Sequence, residues 1–241
     1  MQANSCVIDH FKRFGELRAQ EQALLQQLEQ DPQHYPAGTI LCESGSNATH
    51  FFTLTEGWAG IVRHFADGRR QILDLYLPGQ IMRLREMGSA HAQCDLVAFT
   101  DIVACPFPHR RISDLLSPSP RLAEALLLSL MSDQALLTER IINIARRPAL
   151  ERVAHFILEL RYRLRAEQEA FDVPLTQELL GDLLGLSSVH VSRTLGKLRS
   201  AGLIKTDDGK ISILNAEGLE QTCGFCVKYL VSPRLSPSTD T

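Results

Sequence analysis

The stretch LTQELLGDLLGLSSVHVSRTLGKLRSAGLI, Leu175 to Ile204, carries two helix signals separated by a three-residue turn. Thr176 is a good N-cap for a short helix over Gln177 to Leu184, Gly185 ends it, Leu186 packs inward, and Ser187 caps a second helix running to about Ser200. Val191, Leu195 and Leu198 project to one side of that second helix as core positions, leaving Ser188, Val189, Ser192 and Arg193 on another side. Apolar Gly202-Leu203-Ile204 and Ile211-Ser212-Ile213-Leu214 then flank Asp207-Asp208-Gly209-Lys210, the pattern of a hairpin with a tight polar tip. A helix-turn-helix followed directly by a small hairpin is a winged helix.

Upstream, the period changes twice. Val173-Pro174-Leu175 is preceded by an amphipathic helix expected over Ala149 to about Gln168, and Arg146-Arg147-Pro148 is the natural hinge before it. A long helix is expected from Ser117–Pro120 to about Ala145. Its positions Ala123, Leu127, Leu130, Gln134, Leu137, Ile141 and Ile144 form a heptad seam that suggests pairing with a second copy. Leu122, Leu126 and Leu136 supply a second face for packing on the chain's own core, so both uses hold together.

From Tyr35 to about Pro108, glycines separate short apolar runs: TILC, HFFTL, AGIVRHF, QILDLYL, LVAFT and IVACPF. This predicts a small antiparallel roll, with a type I′ hairpin turn at Asp67-Gly68. Asp9 to Gln30 reads as a helical lead-in. The fold class is therefore α+β: an N-terminal β-roll over 1–116, a dimerisation helix and hinge over 117–147, and a winged helix-turn-helix with C-terminal tail over 148–241.

Composition bounds the function. Charged residues make up 22% and apolar residues 44%, and no run approaches the roughly 18 to 20 apolar residues of a membrane span. The N-terminus lacks a secretory pattern, so a cytoplasmic location with no membrane partner is expected. The net charge is −3, yet from Ser187 to Lys210 five basic residues face two aspartates, a local +3 suited to phosphate contacts. Of the six cysteines only Cys223 and Cys226 have metal-ligand or redox spacing. A redox- or metal-responsive switch on this pair is one alternative, though two cysteines are half a metal cluster. A cupin-like barrel enzyme is a remote one, since His50 and His64 are isolated and no H-x-H occurs. No enzyme activity is expected.

This order of parts resembles the Crp/Fnr family of bacterial transcription regulators. The resemblance covers roughly residues 20 to 220, and its most specific pieces are YPAGTILCESG, LPGQ, RVAHFILEL and the opening stretch. It implies a homodimer on a palindromic DNA site that works with RNA polymerase, with the helix Ser187 to Ser200 in the major groove; an activator is expected, and the sequence does not itself decide between activation and repression. Arg193 matches the family's base-reading arginine, which suits guanine O6/N7. Thr176, Ser187 and Lys197 are placed for phosphates, and for Ser187 a cap alone is an equal alternative. Ser188 and Ser192 accompany Arg193 on the base-facing side. Where many members carry a glutamate, this chain has Val189, which can touch only a thymine methyl. His190 beside it reads as a solvent-edge or backbone-contacting residue ahead of a base reader.

Cyclic-nucleotide-binding relatives hold the phosphate on a cassette with Gly-Glu and, about ten residues later, Arg-Ser or Arg-Thr. In PGQIMRLREMGSAHAQCDL, Arg83-Leu84 and Cys94-Asp95 stand at those places, so no cyclic AMP binding is expected. Arg83, Arg85 and Glu86 read as a solvated charged loop, ahead of the alternative that they serve another small ligand. The N-terminal cysteine group of the iron–sulfur branch is absent, since only Cys6 precedes the roll, and the sequence names no cofactor.

Overall fold

The computed structural model describes residues 5–166 and 170–235. These cluster into two compact units, one within 1–62, 75–134 and 232–241, the other within 63–74 and 135–231. Among the described residues no helix is long and apolar enough to cross a membrane.

In the first unit the expected lead-in helix is two helices, α1 (Cys6–Phe11) and α2 (Ala19–Gln26), followed by a short 3-10 turn at Gln27–Glu29. The periodicity misleads because Phe14 and Leu17 are buried from a non-helical link, and the Phe14 carbonyl accepts from the Leu235 N–H (2.6 Å). Eight strands follow, of which the end of β4 and the first five residues of β5 belong to the second unit: β1 (Gln33–Tyr35), β2 (Ile40–Cys42), β3 (His50–Glu56), β4 (Ala59–His64), β5 (Arg70–Tyr76), β6 (Ile81–Met82), β7 (Asp95–Ala98) and β8 (Ile102–Pro108). Every glycine-bounded apolar run contributes to a strand. The very short β1 and β6 were not legible, having two or three residues each.

The strands form two four-stranded sheets, ordered β1-β8-β3-β6 and β2-β7-β4-β5. Alternation along β3 and β8 builds two cores. Phe52, Leu54, Ile102 and Ala104 join Ile61, Leu96 and Met82 in a cluster shared by both sheets, whereas Phe51 and Phe107 pack with Phe11, Phe14 and Leu25 of the helical layer.

The β4–β5 turn departs from the type I′ expectation. Phe65 N–H donates to Arg69 O and Gly68 N–H to Phe65 O, and of Asp67 and Gly68 only Gly68 has positive φ (83°). This is a three-residue loop closing on a glycine bulge, in which Asp67 Oδ1 takes the Arg69 N–H.

Two helices follow β8 where one was expected. The first, α3 (Arg110–Leu116), is short and buries Ile112 and Leu115. The second, α4 (Pro120–Arg146), starts on a proline, whose missing N–H costs nothing in a first turn. Leu122, Ala125 and Leu126 of α4 lie in the helical layer of the first unit, and residues beyond 134 belong to the second.

The second unit contains α5 (Ala149–Arg163), β9 (Ala170–Asp172), α6 (Gln177–Leu184), α7 (Ser188–Ser200), β10 (Ile204–Asp207), β11 (Lys210–Ile213) and α8 (Ala216–Cys223). The helix break at Arg147-Pro148 is where the proline predicts it. Helix α5 ends earlier than expected, at Arg163; the chain leaves the helix through Arg165 (φ 49°), and Gln168 lies outside the described residues. The segment expected to be helical or linking instead supplies β9, which adds a third strand to the wing in the order β10-β11-β9. The wing turns at Asp208-Gly209, with Asp207 paired to Lys210.

Candidate nucleic-acid interface

Local chemistry fixes the helix-turn-helix. Thr176 Oγ1 accepts from the Leu179 N–H (3.1 Å) and Ser187 Oγ from the His190 N–H (3.2 Å), so each helix begins on a side-chain cap. Gly185, at φ 64°, ends α6 in the left-handed conformation that glycine adopts without strain. The Leu186 N–H then donates back to Gly181 O (2.9 Å), closing the turn, with Leu186 only half-buried.

Helix α7 is two-faced. Val191, Leu195 and Leu198 are buried as expected, and Thr194 joins them. Ser187, Ser188, Val189, His190, Ser192, Arg193 and Lys197 are all exposed, Val189 at 58% of its surface. From Ser187 to Ser200 the chain has Arg193, Lys197 and Arg199 and no carboxylate, so this face combines hydroxyls, one apolar side chain and free positive charge. Thr176, the remaining residue expected at DNA, is exposed at the start of α6.

Two arginines that pattern analysis passed over hold this element. Arg152 Nη1 donates to Leu184 O (2.7 Å) and Gly185 O (3.3 Å), and its Nη2 to Arg147 O (3.0 Å), tying α5 to the turn and to the hinge. Arg199 Nη1 donates to Thr206 Oγ1 (2.9 Å), tying α7 to the wing. On a helical wheel both read as ordinary polar positions. Their role depends on carbonyl and hydroxyl partners that only the tertiary fold brings near.

The cysteine pair is asymmetric. Cys223 is buried at the end of α8, its thiol donates to Leu219 O (3.2 Å), and burial pushes it up to about 11, so it stays protonated. Cys226 is exposed, and all six cysteines are free thiols. Among the described residues no group of three or more His, Cys, Asp or Glu side chains is placed to hold a metal ion.

In the roll, the expectation of a solvated Arg83-Arg85-Glu86 loop is overturned. Arg83 is 2% exposed with φ 68°. Its Nη2 and Nε both donate to Glu86 Oε2 (2.6 and 3.1 Å), Nη1 donates to Cys42 Sγ (2.9 Å), and its backbone N–H to Tyr76 Oη (3.1 Å). A buried guanidinium is tolerable because a carboxylate and further acceptors surround it. Burial pushes the Tyr76 phenol upward, so this acceptor remains neutral. Cys94 is buried, and Asp95 Oδ1 accepts from the Ser44 N–H (2.7 Å).

A β-roll followed by a long helix and a winged helix with an acid-free exposed face defines a DNA-binding transcription regulator. Residues 151–222 match the model of the Crp-like helix-turn-helix domain and residues 32–119 that of the cyclic nucleotide-binding domain. The chain is 28% identical to the nitrogen fixation regulation protein FixK of Bradyrhizobium diazoefficiens over 190 residues, 78% of this chain and 79% of that protein. It is 27% identical to the transcriptional activator protein FnrL of Cereibacter sphaeroides over 206 residues, 83% and 82% of the two chains. The fold superposes on the structure of FixK2 from Bradyrhizobium japonicum with a TM-score of 0.73 at 23% identity, covering 79% of this chain and 96% of that one. The chain belongs to the Crp/Fnr family of transcription regulators.

Proposed function

We propose that this regulator acts as a cytoplasmic homodimer on a palindromic site whose half-site centres lie about one helical turn, roughly 34 Å, apart. In this reading residues 1–116 are the sensor-type domain, 117–147 the dimerisation helix and hinge, and 148–241 the DNA-binding domain and tail. The carrying observation is the division of α7: one face anchored by Val191, Thr194, Leu195 and Leu198, the other exposed, hydroxyl-rich and free of carboxylates.

Arg193 reads a guanine, and Ser188, Val189, His190 and Ser192 line the base edges around it. Thr176, Ser187 and Lys197 take phosphates; the two capping hydroxyls accept backbone N–H groups and still have a proton to donate to a phosphate oxygen. Val189 presents methyl groups where a glutamate would accept from cytosine, which favours thymine at that step.

Dimerisation is supported by α4. Leu127, Met131 and Ile141 are 60%, 65% and 60% exposed, and Leu127, Gln134 and Ile141 recur at seven-residue spacing. Leu130 and Leu137 of the expected seam are half-buried, so the second exposed row falls one position later, at Met131 and Thr138. With Arg83 engaged by Glu86 and Cys42, and Asp95 where an arginine would clamp a phosphate, cyclic AMP is not the effector. FnrL is by name an activator, and contact with RNA polymerase leading to activation is the corresponding role here.

Selection of bound sequences from a random DNA pool, with and without reductant, tests this. The expected outcome is one inverted repeat under both conditions. A monomer at micromolar concentration that binds all sequences alike refutes the proposal, and a site that changes with reductant brings Cys223 and Cys226 back as a switch.

A further inference from the structure

Arg70 lies more than one hundred residues before the helix-turn-helix, at the start of β5, yet residues 63–74 cluster with the unit that contains α6 and α7. Its Nε donates to Asp182 Oδ2 and its Nη2 to Glu178 Oε1 (3.1 Å). Glu178 and Asp182 are four residues apart and therefore neighbours on one side of α6, so a single planar guanidinium forks between two carboxylates of the same helix. Beside it, Gln71 Nε2 donates to Leu183 O (3.3 Å), at the last turn of α6. The other end of the segment is held too: Arg140 Nη1 of α4 donates to Leu73 O (2.9 Å) and to Asp74 Oδ1 (3.2 Å). A lone surface ion pair contributes little, but here one cation is two-thirds shielded and engages two acids with a backbone bond alongside.

We propose that residues 63–74 form a strap across α6 and that Arg70 is a positioning residue for DNA binding. It holds the helix-turn-helix in the orientation that takes DNA, through Glu178 and Asp182. This rests on the reading of α7 as the groove-entering helix. The strap acts on α6, which packs on α7, buries Leu180, Leu183 and Leu184, and starts after the cap Thr176, read above as a phosphate contact. Releasing it lowers the fraction of molecules with both helices in place, and apparent affinity falls by that fraction.

The test uses full-length protein and the DNA site the wild type selects, with affinity measured by fluorescence anisotropy at two salt concentrations. Arg70→Gln alone is ambiguous, because removing a cation also weakens attraction to phosphate. Asp182→Ala separates the two effects: general electrostatics makes a protein lacking a carboxylate bind DNA more tightly, whereas the strap makes it bind about fivefold more weakly at an unchanged salt slope. The exchange Arg70→Asp with Asp182→Arg keeps the net charge and recovers affinity to within about twofold if the pair itself matters. Thermal melts of each variant show whether the protein is folded at the assay temperature. Wild-type-like or tighter binding by folded Asp182→Ala overturns the strap while leaving the DNA-binding reading intact. A wild type that selects no sequence overturns both.

Discussion

Two glycines sit inside the helices of the DNA-binding element, and the same substitution has opposite consequences at them. Alanine is preferred to glycine in a helix interior by about 1 kcal/mol. At Gly196 in α7 an added Cβ would meet only the Nη2 atom of Arg199, at 3.8 Å, the far end of a flexible side chain. Gly196→Ala therefore gains about 0.5 to 1 kcal/mol. At Gly181 in α6 the added Cβ would lie 2.4 Å from Leu186 O, which must retreat to at least 3.0 Å. That carbonyl belongs to the turn closed by the Leu186 N–H to Gly181 O bond, so retreat strains or breaks this bond. Overpacking costs about 1 to 3 kcal/mol and a lost backbone bond about 1, against the propensity gain of about 1. Gly181→Ala should thus lose about 1 to 3 kcal/mol and also weaken DNA binding, because the turn sets the angle between α6 and α7. Urea denaturation followed by circular dichroism, with DNA titrations of each variant, measures both effects. A Gly181→Ala protein as stable as Gly196→Ala, with wild-type affinity, would refute the reasoning by showing that the turn relaxes freely.

Arg193→Ala is expected to cost about 1 to 3 kcal/mol in binding and to relax preference at one base pair per half-site, read by repeating the pool selection; a uniform loss across sequences would mean Arg193 touches only backbone. Ile141→Glu puts a charge into the exposed row of α4 and should give a monomer in sedimentation velocity, whereas a surviving dimer moves the interface elsewhere. Burial, reinforced by the Arg147 charge, holds His155 below its ordinary value near 6.5, so as pH falls the unfolded chain takes up a proton before the folded one. Stability should be flat above about pH 6.5 and fall as pH drops from there toward the lower folded value; in His155→Gln that part of the slope should be missing from a series of urea midpoints.

The helix-turn-helix was legible because its signals are local. Thr176, Gly185 and Ser187 act within three or four residues of themselves, and the buried set Val191, Leu195 and Leu198 follows from helical geometry alone. The strands with alternating apolar runs were legible for the same reason. What escaped depends on distant partners. Strand β9 is three residues long and is a strand only because β11 lies beside it. Of the heptad positions in α4, Leu130 packs on the core of the first unit, a demand that a heptad pattern does not encode. Arg83 looked like a solvated charge because its acceptor set draws on Tyr76 and Cys42, the latter 41 residues away.

Distant pairing also explains how a chain of net charge −3 presents a positive face. In the second unit several cations are neutralised internally. Arg70 engages Glu178 and Asp182, Arg140 lies by Asp74 and Glu159, Arg147 pairs with Glu139, and Arg163 with Glu159. Even in the segment whose sequence gives a local +3, Lys205 lies by Asp207 and Lys210 by Asp172 of β9. Arg193 and Lys197, by contrast, have no carboxylate within ion-pairing distance among the described residues. Subtraction thus sharpens the positive potential on α7: several other basic groups of the unit have a counter-charge in the fold, and the two on the exposed face of α7 do not. Charge counted along the sequence points to a region, but the pairing decides which of its residues are left without a counter-charge.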